Sequence, residues 1–255
     1  MEMHIDTAQF LNTLMRMAEA MQDSGAEVYR TEDTINRIGR AYGAEETDVF
    51  AITSNIVTTV RMPGEKPLTQ SRRLKSSGSN DFRRLEQLNA LSRSVCRHPM
   101  DIDDFNKAID EINAAAKDDR LMILGCILTA GCFAVFYGGS LADGIISALI
   151  GVIIYSMQKY LAPICLNKLA FQLCASFAAG LLAYTAGKLM PGTLPDKIAI
   201  GDIMLLVPGV MFTNSVRDML LGDTLSGILR LIEALLLAAL MTVGFITAML
   251  IMNGL

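Results

Sequence analysis

The sequence lacks most features of catalytic and metal-binding proteins. It has only two histidines in 255 residues, and no G-x-S-x-G, H-E-x-x-H or Walker motif occurs in it. Its five cysteines are odd in number and irregularly spaced, so neither a disulfide framework nor a zinc site is expected. We therefore predict no enzymatic activity, no metal and no cofactor.

An excess of positive charge is also absent. The chain has 22 Lys+Arg against 26 Asp+Glu, and neither half is basic, which argues against nucleic acid as a partner. Arg16, Glu19 and Asp23 interrupt any apolar segment near the N-terminus, so no signal peptide is expected there. Charge is scarce in the second half, because 36 of the 48 charged residues precede position 121. The two halves are predicted to lie in different solvents.

Long uncharged stretches occupy the second half. Residues 121–139 contain no charge, and about 20 apolar residues cross a hydrocarbon core of roughly 30 Å. The fourth stretch contains Asp202 and is interrupted by Pro208-Gly209, where a helix loses a hydrogen bond. We predict five spans, at about 121–139, 143–158, 165–188, 197–213 and 225–252.

The charged half has periodic apolar residues and is predicted to fold. Two helices open it, the second with Thr31 as N-cap, and residues 49–62 predict a hairpin turning at Ser54-Asn55. A Ser/Gly-rich loop at 76–80 precedes a third helix, and Asp103 is predicted to cap a fourth. The predicted fold class is an α-helical integral membrane protein (119–255) preceded by a small α+β cytoplasmic domain (1–118).

The Lys and Arg residues predict the orientation of the spans, because positive loops are retained in the cytoplasm. One predicted side carries five such residues: Arg120, Lys159, Lys168, Arg217 and Arg230. The other side carries Lys188 and Lys197. The N-terminus is therefore predicted to be cytoplasmic and the C-terminus outside.

Several ionisable residues fall in or beside the predicted spans. They are candidates for proton coupling or structural ion pairs, because the charged form of a carboxyl group is disfavoured where water is scarce: Asp143, Asp202, Asp223, Arg230 and Glu233. Arg230 and Glu233 are three residues apart, on one helix face where they can pair. The alternative interpretation places Arg217, Asp218, Asp223 and Arg230 in a hydrated cytoplasmic loop.

The region around the break resembles the threonine/serine exporter family. The resemblance is carried by Leu206-Val207-Pro208-Gly209, Thr213-Asn214-Ser215-Val216-Arg217-Asp218 and Leu221-Gly222-Asp223, with Gly227, Arg230 and Glu233 downstream and Gly25-Ala26-Glu27 in the polar half. It implies a secondary transporter that exports threonine and serine. Some family members are split, and a chain of this type then works with a second small membrane subunit in a system associated with succinate export. The competing hypothesis is a regulatory or assembly subunit, or a channel.

The broken fourth span is predicted to contain the substrate site. Thr213, Asn214 or Ser215 is predicted to cap a half-helix after Pro208-Gly209, whose free N–H groups form an anion site. Arg217 in its first turn would bind a substrate carboxylate, and Asp218 completes the predicted set. The alternative is an ordinary loop salt bridge between Arg217 and Asp218.

These hypotheses also predict the partners and the cellular location of the protein. The partners are the lipid bilayer, a small carboxylate substrate and the second membrane subunit, within a larger oligomer. The expected location is the bacterial or archaeal cell (inner) membrane, in a multi-pass arrangement.

The predicted topology can be tested with a C-terminal reporter that is active only in the cytoplasm. Five spans with a cytoplasmic N-terminus place Leu255 outside, so the reporter should be silent. A reporter after residue 115 provides the positive control. A bright C-terminal reporter would mean that a span is miscounted or that the orientation is inverted.

Overall fold

The computed structural model describes residues 6–74, 81–115 and 118–254. The predicted Ser/Gly-rich loop at 76–80 lies outside the described residues. The chain forms two compact units. The first consists of the described residues within Met1–Ala116 and Val210–Leu231, and the second of those within Lys117–Gly209 and Ile232–Leu255. Residues 210–231, which the sequence division placed in the membrane part, thus fold with the first unit.

In the N-terminal part of the first unit, the described residues form four helices and three strands. They are α1 (Thr7–Asp23), α2 (Val28–Ala41), β1 (Glu46–Ile52), β2 (Asn55–Arg61), β3 (Leu68–Arg73), α3 (Phe82–Arg97) and α4 (Ile102–Ala114). The predicted α+β composition is confirmed. Apolar residues of α1 and α2 recur at helical spacing and are fully buried in one core, which includes Phe10, Leu14, Ile35, Ile38 and Phe105.

Acidic side chains begin three of these helices, because a carboxylate can accept hydrogen bonds from unpaired N–H groups of the first turn. Asp6 accepts from Ala8, and Asp101 accepts from Asp103. The prediction that Asp103 caps α4 is therefore wrong by two residues. Thr31 is not a cap either, since it lies inside α2 and its hydroxyl donates to the Glu27 carbonyl.

The predicted hairpin is confirmed, and the turn lies one residue earlier, at Thr53-Ser54. Strands β1 and β2 pair antiparallel, and β2 pairs antiparallel with β3. The third strand was not predicted from the sequence. Its segment, LTQSRR, is polar on both faces and largely exposed, so it has no apolar alternation that would mark a strand.

The membrane part contains helices long and apolar enough to cross a bilayer. They are α5 (Asp119–Phe136), α6 (Leu141–Tyr160), α7 (Lys168–Leu189) and α10 (Thr224–Asn253), with a bent pair formed by α8 (Pro195–Leu206) and α9 (Gly209–Leu220). Among the residues that the structure describes, four helices qualify alone, and there are five spans if the bent pair counts as one. This agrees with a multi-pass membrane protein, and the predicted spans overlap these helices.

The predicted break in the fourth span is confirmed. Helix α8 ends at Leu206 and α9 begins at Gly209, with a bend of 48° between them. Proline at 208 has no N–H to donate to a preceding carbonyl and crowds the helix before it. The interruption therefore follows from the sequence.

A glycine allows α8 to approach its neighbours closely within the second unit. A Cβ atom added at Gly201 would lie 2.5 Å from the carbonyl oxygen of Ala130 in α5 and would also meet the Ser147 hydroxyl of α6. Backbone cannot yield as a flexible side chain can. Small residues serve this purpose in membrane helices, where close packing drives association.

We predict that Gly201→Ala lowers the stability of the purified protein, because the added methyl group would overpack this contact at a cost of about 1–3 kcal/mol. The measurement is the midpoint of thermal unfolding in detergent. Gly125→Ala in α5 is the matched control, since no atom lies within 4 Å of its added Cβ. Equal midpoints for the two variants would contradict the close packing.

Candidate functional site

The structure divides the predicted site residues between the two units. Asp143, Asp202, Pro208, Gly209 and Glu233 belong to the second unit. The first unit contains the remainder: Thr213, Asn214, Ser215, Arg217, Asp218, Asp223 and Arg230. The candidate residues thus form two groups, each within its own unit.

Asp202 is a fully buried carboxyl group in α8. Its Oδ1 lies 2.9 Å from the hydroxyl oxygen of Ser147 in α6. The same hydroxyl lies 3.1 Å from the carbonyl oxygen of Ala130. The other carboxyl oxygen, Oδ2, has no hydrogen-bond partner among the residues that the structure describes.

One hydroxyl proton cannot serve both of these acceptors. When Asp202 is ionised, Ser147 can donate to the carboxylate. When Asp202 is protonated, the carboxyl group can donate to Ser147, which then donates to the Ala130 carbonyl. The three groups can therefore form hydrogen bonds in both protonation states of Asp202, as a proton-carrying site requires.

Asp143 has a different environment, although it is also fully buried. One of its oxygens accepts hydrogen bonds from the Ser140 N–H and hydroxyl, at 2.7 and 2.8 Å. The other accepts from the Leu194 N–H at 2.8 Å. The Ser140 hydroxyl in turn accepts from the Asp143 N–H, which completes a capping box at the start of α6. Asp143 thus anchors a loop rather than facing an open path.

The carbonyl at the end of α8 is satisfied by a side chain from another helix. Gln172 in α7 donates from Nε2 to the Leu206 carbonyl oxygen at 2.8 Å, in a buried position. An interrupted helix exposes carbonyl groups that the next turn would have bonded, and hydrocarbon offers no water to replace them. Gln172 therefore stabilises the break.

The start of the second half-helix differs from the prediction. Because α9 begins at Gly209, residues Thr213, Asn214 and Ser215 lie inside it and do not cap it. The buried Ser215 hydroxyl donates to the Phe212 carbonyl at 2.7 Å. Arg217 lies in the last turn instead of the first, about 12 Å along the axis from Gly209 at 1.5 Å per residue. The predicted carboxylate clamp at the start of this helix is therefore wrong in its geometry.

Arg217 contacts the N-terminal part of the first unit. Its Nη1 lies 2.6 Å from Oε1 of Glu27, the residue before α2. The arginine side chain is 56% exposed and the glutamate 12%. This ion pair joins α9 to the α+β part of the unit. The alternative to a substrate clamp at Arg217 is therefore an ion pair with Glu27, and not the loop salt bridge with Asp218.

Asp218 and Arg230 form a more buried ion pair. Asp218 in α9 is fully buried, Arg230 in α10 is 13% exposed, and Nη1 lies 3.0 Å from Oδ2. The partner of Arg230 is thus Asp218, whereas helical spacing had suggested Glu233. Close packing of the two helices accompanies the pair, since a Cβ at Gly227 would lie 2.7 Å from the Ser215 carbonyl oxygen. The hydrated-loop interpretation is wrong for these two residues.

Two further carboxyl groups of the first unit, Glu32 and Asp223, lie near each other. Burial raises the pKa of Glu32 in α2, and the negative charge of Asp223 adds to the effect, while a hydrogen bond from the Ala51 N–H at 2.8 Å opposes it. Burial also raises the pKa of Asp223, which precedes α10. The α+β part and the turn between α9 and α10 therefore influence each other electrostatically.

Sequence reasoning gave no role to Ser147, Gln172 or Glu27. Gln172 carried a usable signal, since it is the only amide side chain in α7. Glu27 belongs to the Gly25-Ala26-Glu27 motif, but nothing in the sequence indicates that Arg217 is its partner. Among residues 6–74, 81–115 and 118–254, no group of three or more His, Cys, Asp or Glu side chains could hold a metal ion.

These features define a class: a multi-pass helical membrane protein with a broken span, buried carboxyl groups in its membrane helices and an appended α+β part. A family model described as "Putative threonine/serine exporter" matches residues 12–252. The chain belongs to this family.

Two relatives are similar over most of this chain. A "Probable threonine/serine exporter" of Mycobacterium tuberculosis is 25% identical over 248 residues, covering 96% of this chain and 46% of the relative. A "Threonine/serine exporter" of Corynebacterium glutamicum is 23% identical over 241 residues, covering 91% and 49%. The chain therefore spans about half the length of these relatives. No solved structure matches it.

We predict that Arg230→Met destabilises the protein by about 3–5 kcal/mol, because it leaves the Asp218 carboxylate buried without its cation. The double variant with Asp218→Leu should recover most of that loss, since apolar side chains can replace a buried ion pair. Thermal unfolding in detergent measures both. Arg217→Met is the control and should cost less, about 1 kcal/mol, because the Arg217 side chain is 56% exposed and water can reach its ion pair. An equal loss for Arg230→Met and Arg217→Met would contradict the assignment.

Proposed function

We propose that the chain is a subunit of a secondary transporter that exports small carboxylate-bearing metabolites. The candidate substrates are threonine and serine, which the names of the relatives mention, and a C4 dicarboxylate such as succinate. Membership of the exporter family supports transport rather than catalysis.

The arrangement of Asp202, Ser147 and Ala130 carries this proposal. Ionisable groups at membrane depth are costly and mark ion or proton pathways, unless they are fully satisfied structural groups. The Asp143 carboxylate accepts three hydrogen bonds, so it fits a fully satisfied structural group. Asp202 has one donor and one oxygen without a described partner, so it fits a group that gains and loses a proton during transport.

The break after α8 supplies the second element of the proposal. Secondary transporters place substrates at interrupted helices, where the N-terminal N–H groups of a half-helix attract an anionic group. In this chain that end of α9 is at Gly209. The Gly209 N–H already donates to the Val207 carbonyl at 2.8 Å. We therefore assign the substrate carboxylate to the N–H groups of the next residues in the first turn of α9, rather than to Arg217.

We further propose that transport requires a second small membrane subunit, within a larger oligomer. Four or five spans are few for a transport pathway, since transporters commonly pair two repeats around a central site. The relatives, about twice as long as the matched segment, are consistent with a two-part system. The same reasoning predicts little transport by the isolated chain.

The ion pair between Arg217 and Glu27 favours a second candidate function, regulation through the α+β part. Helix α9 starts at the break and ends at this ion pair. A change in the α+β part could thus be transmitted along one helix to the proposed site. The pair also supports the predicted topology, because it places the turn between α9 and α10 beside the α+β part.

The proposed function is tested by efflux of labelled threonine, serine and succinate from cells that express the chain with and without its proposed partner. Asp202→Asn keeps the size of the side chain but cannot change protonation state, so concentrative efflux should fall at least about tenfold. Ser147→Ala should give an intermediate loss.

The control is Asp196→Asn, the same substitution at an exposed position in the first turn of the same helix, and it should transport normally. Membrane content of each variant is measured alongside efflux. Parental efflux and parental pH dependence in Asp202→Asn would rule out the proton-carrying role. Absence of any substrate efflux with the partner present would rule out the transporter.

A further inference from the structure

Helix α8 packs differently on its two faces. Its Gly201 lies against α5, where an added Cβ would be 2.5 Å from the Ala130 carbonyl oxygen and 2.9 Å from the Ala134 Cβ. Successive residues of a helix turn by about 100°, so Ala199 and Ile203 lie on nearly the opposite side. The close contact with α5 therefore involves only one face of α8.

A cavity of about 300 Å³ borders the other face. It lies between α8 and α10, beside Tyr184 of α7. Its apolar lining residues include Ala199, Ile200, Ile203, Met241, Phe245 and Ile246. Few voids in a protein exceed the size of a water molecule, and Ile246 is 48% exposed, so this cavity is open to the lipid chains around the helices. Fluid chains can leave it, whereas packed backbone cannot.

The chain changes direction at both ends of α8. Gly192, in the turn before the helix, has a φ of +96°, and Pro208 follows shortly after its last turn. The Leu194 N–H at its start is anchored by Asp143. A helix of 12 residues with such ends can shift as a rigid unit, because the change in backbone angles falls on the few residues that flank it.

The observed position of α8 suits the protonated form of Asp202. The carboxyl group is fully buried, and among the described residues the Ser147 hydroxyl is the group that hydrogen-bonds it. No charged side chain of the described helices acts on Asp202. The carboxyl group of Asp143, one turn before Ser147 in α6, is bonded to Ser140 and to the Leu194 N–H.

Loss of the proton makes this position unfavourable. A carboxylate that is buried without a cation is costly, above all where hydrocarbon surrounds the helices. A shift of α8 away from α5 and α6 would admit water to Asp202. The cavity on the other side of α8 supplies the space for that shift.

We propose that α8 is the moving element of the transporter: it withdraws from α5 and α6 into the cavity beside α10 when Asp202 loses its proton, and it returns when Asp202 is protonated. This inference rests on the proposed function, in which Asp202 carries a proton. It identifies the conformational change that couples the proton to transport.

Filling the cavity tests the proposal. Thr242 lines the cavity, so Thr242→Phe places an aromatic ring there, which leaves the observed arrangement intact and blocks the displaced one. Efflux of labelled substrate from cells that express the chain and its proposed partner should fall about tenfold, since overpacking raises the free energy of the displaced state. Ile200→Phe, which fills the same cavity from α8, should act alike.

Thr247→Phe is the matched control. Thr247 is exposed on the same helix, and its hydroxyl donates to the carbonyl four residues before it, as that of Thr242 does. It does not line the cavity, so efflux should equal that of the parent. Thermal unfolding in detergent and membrane content show that the variants are folded and inserted.

The movement itself is measured in the purified chain, without transport. Spin labels are placed at Leu149, which is exposed on α6, and at Lys197 in the first turn of α8, in a chain whose cysteines are replaced by alanine. The distance between the labels should increase by about 2 Å or more from acidic to alkaline pH. It should stay short at both pH values in Asp202→Asn, which cannot ionise, and in Thr242→Phe.

Four results would overturn the proposal. They are parental efflux in Thr242→Phe and Ile200→Phe, an equal loss of efflux in Thr247→Phe, a label distance in the parent that does not depend on pH, and a pH-dependent distance that Asp202→Asn retains. Failure of efflux in the parent concerns only the proposed function, because the label distance tests the movement of α8 independently.

Discussion

Hydrocarbon offers no hydrogen-bond partners, so each polar group inside a membrane-spanning segment has to find one within the protein. This constraint explains the placement of the buried polar residues in the second unit. Gln172 bonds the carbonyl left by the break, and Asp143 accepts three hydrogen bonds at the start of α6. Among the described residues of the second unit, Oδ2 of Asp202 is the buried side-chain oxygen that has no such partner. This unpartnered oxygen is the reason for proposing that Asp202 gains and loses a proton during transport.

Close approach of the helices makes this arrangement possible. Gly201 precedes Asp202 in the chain, and its missing side chain brings α8 against the Ala130 carbonyl and the Ser147 hydroxyl. The same two groups form the hydrogen bonds that can accommodate either protonation state of Asp202. Packing and chemistry therefore depend on the same few atoms, and a change that separates the helices would also remove the hydroxyl from the carboxyl group.

The charged residues on either side of the turn between α9 and α10 stabilise the first unit through ion pairs. Asp218 and Arg230 hold the two helices together in a buried ion pair, while Arg217 reaches Glu27 in the α+β part. Helix α9 thus extends from the break to a contact with the α+β part.

The sequence alone determined the elements of this protein, because hydrophobic period, uncharged length and proline are local properties. They were enough to predict the membrane helices, the hairpin of β1 and β2, and the break at Pro208. The same local properties led to wrong predictions of the caps at Thr31 and Asp103. They did not predict β3, because its polar sequence has no alternation of apolar residues. Tertiary structure alone decided which charges meet. Arg217 pairs with Glu27, 190 positions away in the chain, and Ser147 reaches Asp202 from another helix, since partners of ionisable groups depend on how helices pack and not on their spacing along the sequence.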